Sequence, residues 1–147
     1  QRRYIICAAV CVLILLAWAV MEWTLRPYLW RRRAEMFEIY PYMFYTFLVP
    51  PMACITAGVL LPAAASLWRD IRLGAPKLRM CLLVLGLLAL IPQLLVVTAF
   101  LNLWPDFMEN CHSFRAWVVP LFFVGNELLR YGPLFLSGCL LFLGLNK

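Results

Sequence analysis

The stretch IYPYMFYTFLVPPMACITAGVLLPAAASLW, residues 39–68, is thirty residues long and contains no charged side chain. An α-helix rises about 1.5 Å per residue, so about 20 apolar residues cross the ~30 Å hydrocarbon core of a bilayer. The stretch is therefore long enough to cross a membrane as one helix.

Four other uncharged stretches occur in the chain, at residues 4–21, 80–105, 116–126 and 131–146. The first two have 18 and 26 residues, which is enough to span a bilayer alone. The last two have only 11 and 16 residues and must be joined across Glu127 and Arg130. We therefore predict four transmembrane helices, over residues 4–25, 42–67, 80–103 and 116–145.

The composition of the whole chain agrees with this prediction. Of its 147 residues, 65% are hydrophobic and 14% are charged, and the mean hydropathy is +0.87. Soluble domains carry about 25% charged residues, and disordered chains carry far less apolar surface. The apolar runs also lack the two-residue alternation of a transmembrane barrel. We predict an all-α, polytopic membrane protein whose residues 1–147 form a single domain, a small bundle of four helices.

A basic segment, residues 26–38, separates the first two predicted helices. The spacing of Arg31 and Glu35 suits an ion pair across one helical turn, so we expect a short helix along the membrane surface; a solvated basic loop is the alternative. The net charge is +6, but the basic residues flank hydrophobic helices, which favours the lipid bilayer and its anionic headgroups over nucleic acid as the partner. The residues expected to contact headgroups are Arg26, Trp30, Arg31, Arg32 and Arg33.

The orientation follows from the distribution of lysine and arginine alone. With four spans, the side of the chain termini holds seven basic residues and the other side holds five. We therefore predict a multi-pass protein with both termini in the cytoplasm. The first apolar run is longer than the ~7–15 residues of a signal-peptide core, so we expect it to be retained as the first helix.

The candidate binding site consists of four residues of the fourth predicted helix, Asn126, Glu127, Arg130 and Tyr131. A charged side chain at a helix centre costs about 2.5–3.5 kcal/mol on insertion scales, so two such residues need a compensating contact. Glu127 and Arg130 share one helical face and can neutralise each other. The pattern indicates a polar site that binds an ion, a headgroup or a partner; a structural clamp between helices, or charges that extend to an interface, is the alternative.

Three smaller polar features have simpler explanations. Glu22 and Arg26 are one turn apart at the end of the first helix and are expected to form an ion pair. Gln93 is expected to form a hydrogen bond between helices. Five of the six cysteines fall in apolar stretches, where buried packing is expected, and with one histidine and no C-x-x-C motif the sequence predicts neither metal nor cofactor.

Three classes of function fit these features. The first is a non-enzymatic accessory, regulatory or immunity-type subunit that packs against a larger membrane protein. The second is a small transporter or channel subunit, which needs a homo-oligomer because four helices enclose little space, with Glu127 and Arg130 on its path. The third is a lipid-modifying membrane enzyme, for which no second catalytic group is evident. We predict the first.

Overall fold

The computed structural model describes residues 2–37, 39–68, 75–100 and 127–146, with side chains given for 2–37, 40–68, 75–98 and 130–146. These residues form four α-helices, and the predicted all-α class is confirmed for them. The helices are α1 (Arg2–Met36), α2 (Ile39–Trp68), α3 (Pro76–Phe100) and α4 (Glu127–Leu145).

The first three helices are long and apolar enough to cross a membrane. The apolar part of α4, Arg130–Leu145, is shorter, and the preceding part of the predicted fourth span, 116–126, lies outside the described residues.

Helix α1 continues through the segment where a separate interfacial helix was expected, so that expectation is wrong. Pro27 lies inside α1 and removes only one backbone hydrogen bond. Side-chain pairs at helical spacing support the turns that follow: the guanidinium of Arg32 lies over the ring of Tyr28, and that of Arg33 over Trp30. Phe37 then adopts a left-handed conformation with φ 56°, which ends the helix and turns the chain toward α2.

Helices α2 and α4 form the centre of the arrangement, with α1 packed against α2 and α3 against α4. The two central helices run in the same direction, because Arg130 near the start of α4 contacts Thr46, and Cys139 lies beside Gly58 further along both. Helix α1 runs antiparallel to α2, since Glu22 bonds to Tyr45. Contacts between Gly86 and Leu141 belong to an antiparallel α3–α4 pair, so the direction alternates along the chain.

Backbone contact between α2 and α4 is made possible by two glycines. A Cβ on Gly58 would overlap the carbonyl group of Phe135, and one on Gly138 would overlap the carbonyl oxygen of Ile55 and lie 3.0 Å from the amide nitrogen of Val59. Small residues allow such close approach between apolar helices.

Helix α3 approaches α4 in a similar way. A Cβ on Gly86 would lie 3.0 Å from Cγ of Leu141, and one on Gly144 would lie 3.1 Å from the carbonyl oxygen of Arg79. The hydroxyl of Ser137, which is fully buried, donates a 2.7 Å hydrogen bond to the carbonyl of Gly86. The core therefore lies along α4, between α2 and α3.

The outer faces of α1 and α3 are apolar and exposed. Cys11 is the one buried residue among those described in α1. Large exposed side chains on these two faces include Ile5, Leu13, Leu16, Val20, Val84, Leu87, Leu88 and Leu94. Apolar surface this continuous is unusual for a soluble protein and is typical of a membrane or interaction surface.

Candidate functional site

The polar site of this protein begins with two adjacent prolines in α2, Pro50 and Pro51. Proline has no backbone N–H, so a helix that contains it loses the hydrogen bond to the carbonyl four residues earlier. The carbonyls deprived in this way are those of Thr46 and Phe47. Because buried carbonyls need partners, the helix requires donors from elsewhere at this level.

Arg130 of α4 supplies the first donor. Its guanidinium Nη2 lies 3.2 Å from the carbonyl oxygen of Thr46. The same guanidinium lies 5.7 Å from the ring centre of Phe47 and 5.0 Å from that of Tyr131. Arginine thus contacts α2 through both a hydrogen bond and an aromatic face, and this anchors the start of α4 on α2.

Gln93 of α3 supplies the second donor. Its side-chain Nε2 lies 2.6 Å from the carbonyl oxygen of Phe47, which confirms the predicted bond between helices. Gln93 is 8% exposed, and its Oε1 has no hydrogen-bond partner among the described residues. The amide therefore donates to the proline-interrupted helix in a buried environment.

Tyr45, the residue before Thr46, connects α2 to α1. Its hydroxyl donates a 2.7 Å hydrogen bond to Oε2 of Glu22, and Tyr45 is buried. The other carboxylate oxygen of Glu22 accepts from Arg26, so the predicted ion pair is confirmed. Both oxygens of this carboxylate are engaged in contacts within the chain.

Three consecutive residues of α2 therefore bond to the three other helices. We call this set the polar layer; it comprises Glu22, Tyr45, Thr46, Phe47, Gln93 and Arg130. Its members interact mostly with one another, so the layer can hold four helices at fixed positions in an apolar surrounding.

The predicted binding site overlaps the polar layer only in part. Arg130 belongs to it, and Tyr131 lies against the Arg130 guanidinium. Asn126 and the side chain of Glu127 lie outside the described residues, so the pairing of Glu127 with Arg130 stays a prediction. Neither Tyr45 nor the carbonyls of Thr46 and Phe47 were expected in the site from the sequence. Counting back four residues from each proline would have found the two carbonyls.

The residues predicted to contact lipid headgroups fall into three situations. Arg26 is paired with Glu22, and Arg31 is exposed. Arg32 and Arg33 lie against aromatic rings, 5.6 Å from the centre of Tyr28 and 5.3 Å from that of Trp30, respectively. Headgroup contact for this set stays a prediction.

Tyr42 of α2 completes the surroundings of Arg33. The guanidinium of Arg33 lies 5.1 Å from the Tyr42 ring centre, and the rings of Tyr42 and Trp30 are 5.5 Å apart at an interplanar angle of 67°. Arg33 thus lies over two rings from different helices. We call these five residues the arginine–aromatic cluster; they are Tyr28, Trp30, Arg32, Arg33 and Tyr42.

A partly open cavity of about 320 Å³ adjoins this cluster. It is lined by Trp30, Arg33, Ala34 and Phe37. The cavity combines one cation with two aromatic surfaces, which suits a ligand that has an anionic group next to an apolar one.

The cysteines form no evident chemical site in the described part of the chain. Cys11 is buried, but Cys81 is exposed, so the prediction of buried packing is wrong for Cys81. Its place on the outer face of α3 explains the exposure. The described residues contain no group of three or more histidine, cysteine or acidic side chains able to hold a metal ion, and Cys111 and His112 lie outside them.

In the described part of the chain, these features define a class: an all-helical protein with three helices of membrane-spanning length and a polar layer that joins four helices. The comparisons with known proteins add no family to this description. No protein-family model, no curated protein and no solved structure matches the chain.

Proposed function

We propose that the protein crosses a membrane four times, with both termini in the cytoplasm, and acts as a non-enzymatic accessory subunit of a larger membrane protein. The apolar outer faces of α1 and α3 support insertion. The alternating helix directions and the 2.8 Å hydrogen bond from Tyr4 to Asn146 support an even number of crossings, because they place the two described ends together.

The dimensions of α1 agree with this proposal. Arg3 and Arg31 are 28 positions apart, which corresponds to about 42 Å of helix. A bilayer with its headgroups is about 40–45 Å thick, so both arginines fit at headgroup level in a nearly upright helix. Glu22 is 19 positions from Arg3, about 28 Å along the helix, and therefore within the far part of the hydrocarbon core.

The observation that carries the accessory role is the mutual bonding of the polar layer. A membrane enzyme or carrier presents its ionisable groups to a substrate. Here the carboxylate of Glu22 is engaged by Tyr45 and Arg26, and Arg130 and Gln93 bond to carbonyls of α2. Groups engaged in this way stabilise a packing unit, and the outer apolar faces of α1 and α3 are the large surfaces that the described residues leave open to a partner.

A transport path through a single chain receives less support. Helices α2 and α4 are in backbone contact at Gly58 and Gly138, so a path between these two helices has no room. A carrier function therefore requires a path elsewhere than between these two helices, for example between copies of the chain.

Site-specific photo-crosslinking in native membranes tests the accessory role. Photoreactive residues would replace Leu13 on the outer face of α1 and Leu88 on that of α3, which are 65% and 52% exposed. Leu134, which is 2% exposed, is the matched control position. We expect one outer face to yield a single heavier adduct with the same larger membrane protein in repeated experiments, and the control to yield none.

The competing functions predict different results. Adducts to a second copy alone, together with ion or solute flux from purified protein in liposomes, would support the transporter and contradict the accessory role. Adducts to lipid alone from both outer faces would also contradict it.

A further inference from the structure

The arginine–aromatic cluster brings cations, aromatic rings and a cavity together. Cation–π contact holds Arg33 over Trp30 and Tyr42, with guanidinium-to-ring distances of 5.3 and 5.1 Å. Within the described residues, no carboxylate lies within ion-pair distance of Arg33. The planar guanidinium therefore keeps N–H groups available to an anionic ligand.

The cavity beside Arg33 limits what that ligand is. Its volume of about 320 Å³ is at the small end of the ~300–1,000 Å³ range of small-molecule sites, so it accommodates a headgroup and not a whole lipid. Trp30, which is 54% exposed, provides apolar surface on the side of the cavity nearer the hydrocarbon core. A ligand that fits has a phosphate for Arg33 and a hydrocarbon part outside the cavity.

We propose that this cavity binds one anionic phospholipid, with its phosphate on Arg33 and its chains directed back along α1, past the exposed ring of Trp30, toward the hydrocarbon core. The inference depends on the proposed insertion in a membrane, which places Arg33 two positions beyond Arg31 at headgroup level. It does not depend on the accessory role. It also goes beyond general attraction of basic residues to a membrane, because it assigns the lipid to one side of α1.

The two neighbouring arginines give a matched comparison. Arg31 and Arg33 have the same charge on the same helix, but they are two positions apart and therefore point about 200° apart around its axis. Only Arg33 lines the cavity and contacts Tyr42 of α2. If lipid is attracted only by general electrostatics, removing either charge should have the same effect. If lipid binds specifically in the cavity, only the removal of Arg33 should weaken binding.

The test uses the full chain reconstituted in nanodiscs that contain phosphatidylcholine with a small fraction of phosphatidylglycerol. Retained lipid is measured by native mass spectrometry after mild release. We expect one retained phosphatidylglycerol per chain in preference to phosphatidylcholine. R33Q should lower its occupancy about tenfold at limiting lipid, and R31Q less than twofold. Y42L should weaken binding, and Y42F, which keeps the ring, should not.

Each other outcome overturns the proposal. Equal losses for R31Q and R33Q would indicate general electrostatics, and retention of phosphatidylcholine at the same level would remove the anionic preference. A chain that stays soluble without detergent would contradict membrane insertion itself. A chain that enters nanodiscs but retains no phosphatidylglycerol would contradict only this inference.

Discussion

Gln93 of α3 donates a 2.6 Å hydrogen bond to the carbonyl of Phe47 in α2, four residues before Pro51, which has no backbone N–H to donate to it. A break in one helix is thus satisfied by a side chain from another. Arg130 of α4 has the same relationship to Thr46 and Pro50. The prolines weaken α2 as an isolated helix and make its position depend on its neighbours.

The first prediction concerns Gln93. Replacing it with leucine should lower the free energy of unfolding in detergent by about 1–3 kcal/mol, because the buried carbonyl of Phe47 loses its donor. In a Pro51→Ala background the helix supplies its own N–H, so the same replacement should cost clearly less. A double-mutant cycle measures this coupling. Pro62→Ala is the control background, where the cost of Gln93→Leu should be unchanged; equal costs in all backgrounds would contradict the assignment.

The second prediction separates a structural from a functional role for Arg130. Arg130→Met should destabilise the bundle by about 1–3 kcal/mol, since Thr46 loses a charged donor. Adding Pro50→Ala should recover much of the loss by restoring a backbone donor. If the arginine is only a clamp, photo-crosslinking to the partner should recover with stability. Loss of the adduct in the stable double variant would show instead that Arg130 contacts the partner.

The third prediction concerns the contact between α2 and α4. Gly58→Ala and Gly138→Ala should each destabilise the bundle by about 1–3 kcal/mol, because the added methyl group meets the backbone of the other helix. Gly132 is the matched control, since a Cβ there meets no atom of the described residues within 4 Å. Gly132→Ala should be neutral or stabilise by up to about 1 kcal/mol through helix propensity. Equal effects at all three positions would contradict the close α2–α4 packing.

The fourth prediction tests insertion in a membrane. Leu13 is 65% exposed, and an arginine at such a position in a soluble protein changes stability by less than about 0.5 kcal/mol. In a bilayer the same replacement costs about 2.5–3.5 kcal/mol. We therefore expect Leu13→Arg to reduce insertion into microsomes strongly. Met36→Arg, at an exposed position beyond the polar layer, should have little effect. Normal insertion of Leu13→Arg would argue that lipid does not surround this face.

The sequence alone determined the helical class and the long apolar elements. Uncharged runs such as residues 39–68 favour an apolar environment, and this preference does not depend on which other helices lie beside them. The ion pair of Glu22 with Arg26 was predictable for a related reason, because spacing within one helix fixes it. The bond from Gln93 was predictable as a type, but its acceptor was not.

Only the tertiary structure decided which elements meet. One example is the parallel contact of α2 and α4. Another is the meeting of Glu22, Gln93 and Arg130 at three consecutive residues of α2, which brings together residues up to 108 positions apart in the chain. The continuation of α1 to Met36 was also misjudged, because its last turns are supported by Tyr42 of α2 as well as by its own side chains. The physical reason is that an apolar run shows that a helix avoids water but does not show which helix it packs against. The choice of neighbour depends on small residues that allow close approach and on backbone carbonyls that accept hydrogen bonds from other helices, and these meet only in the folded chain.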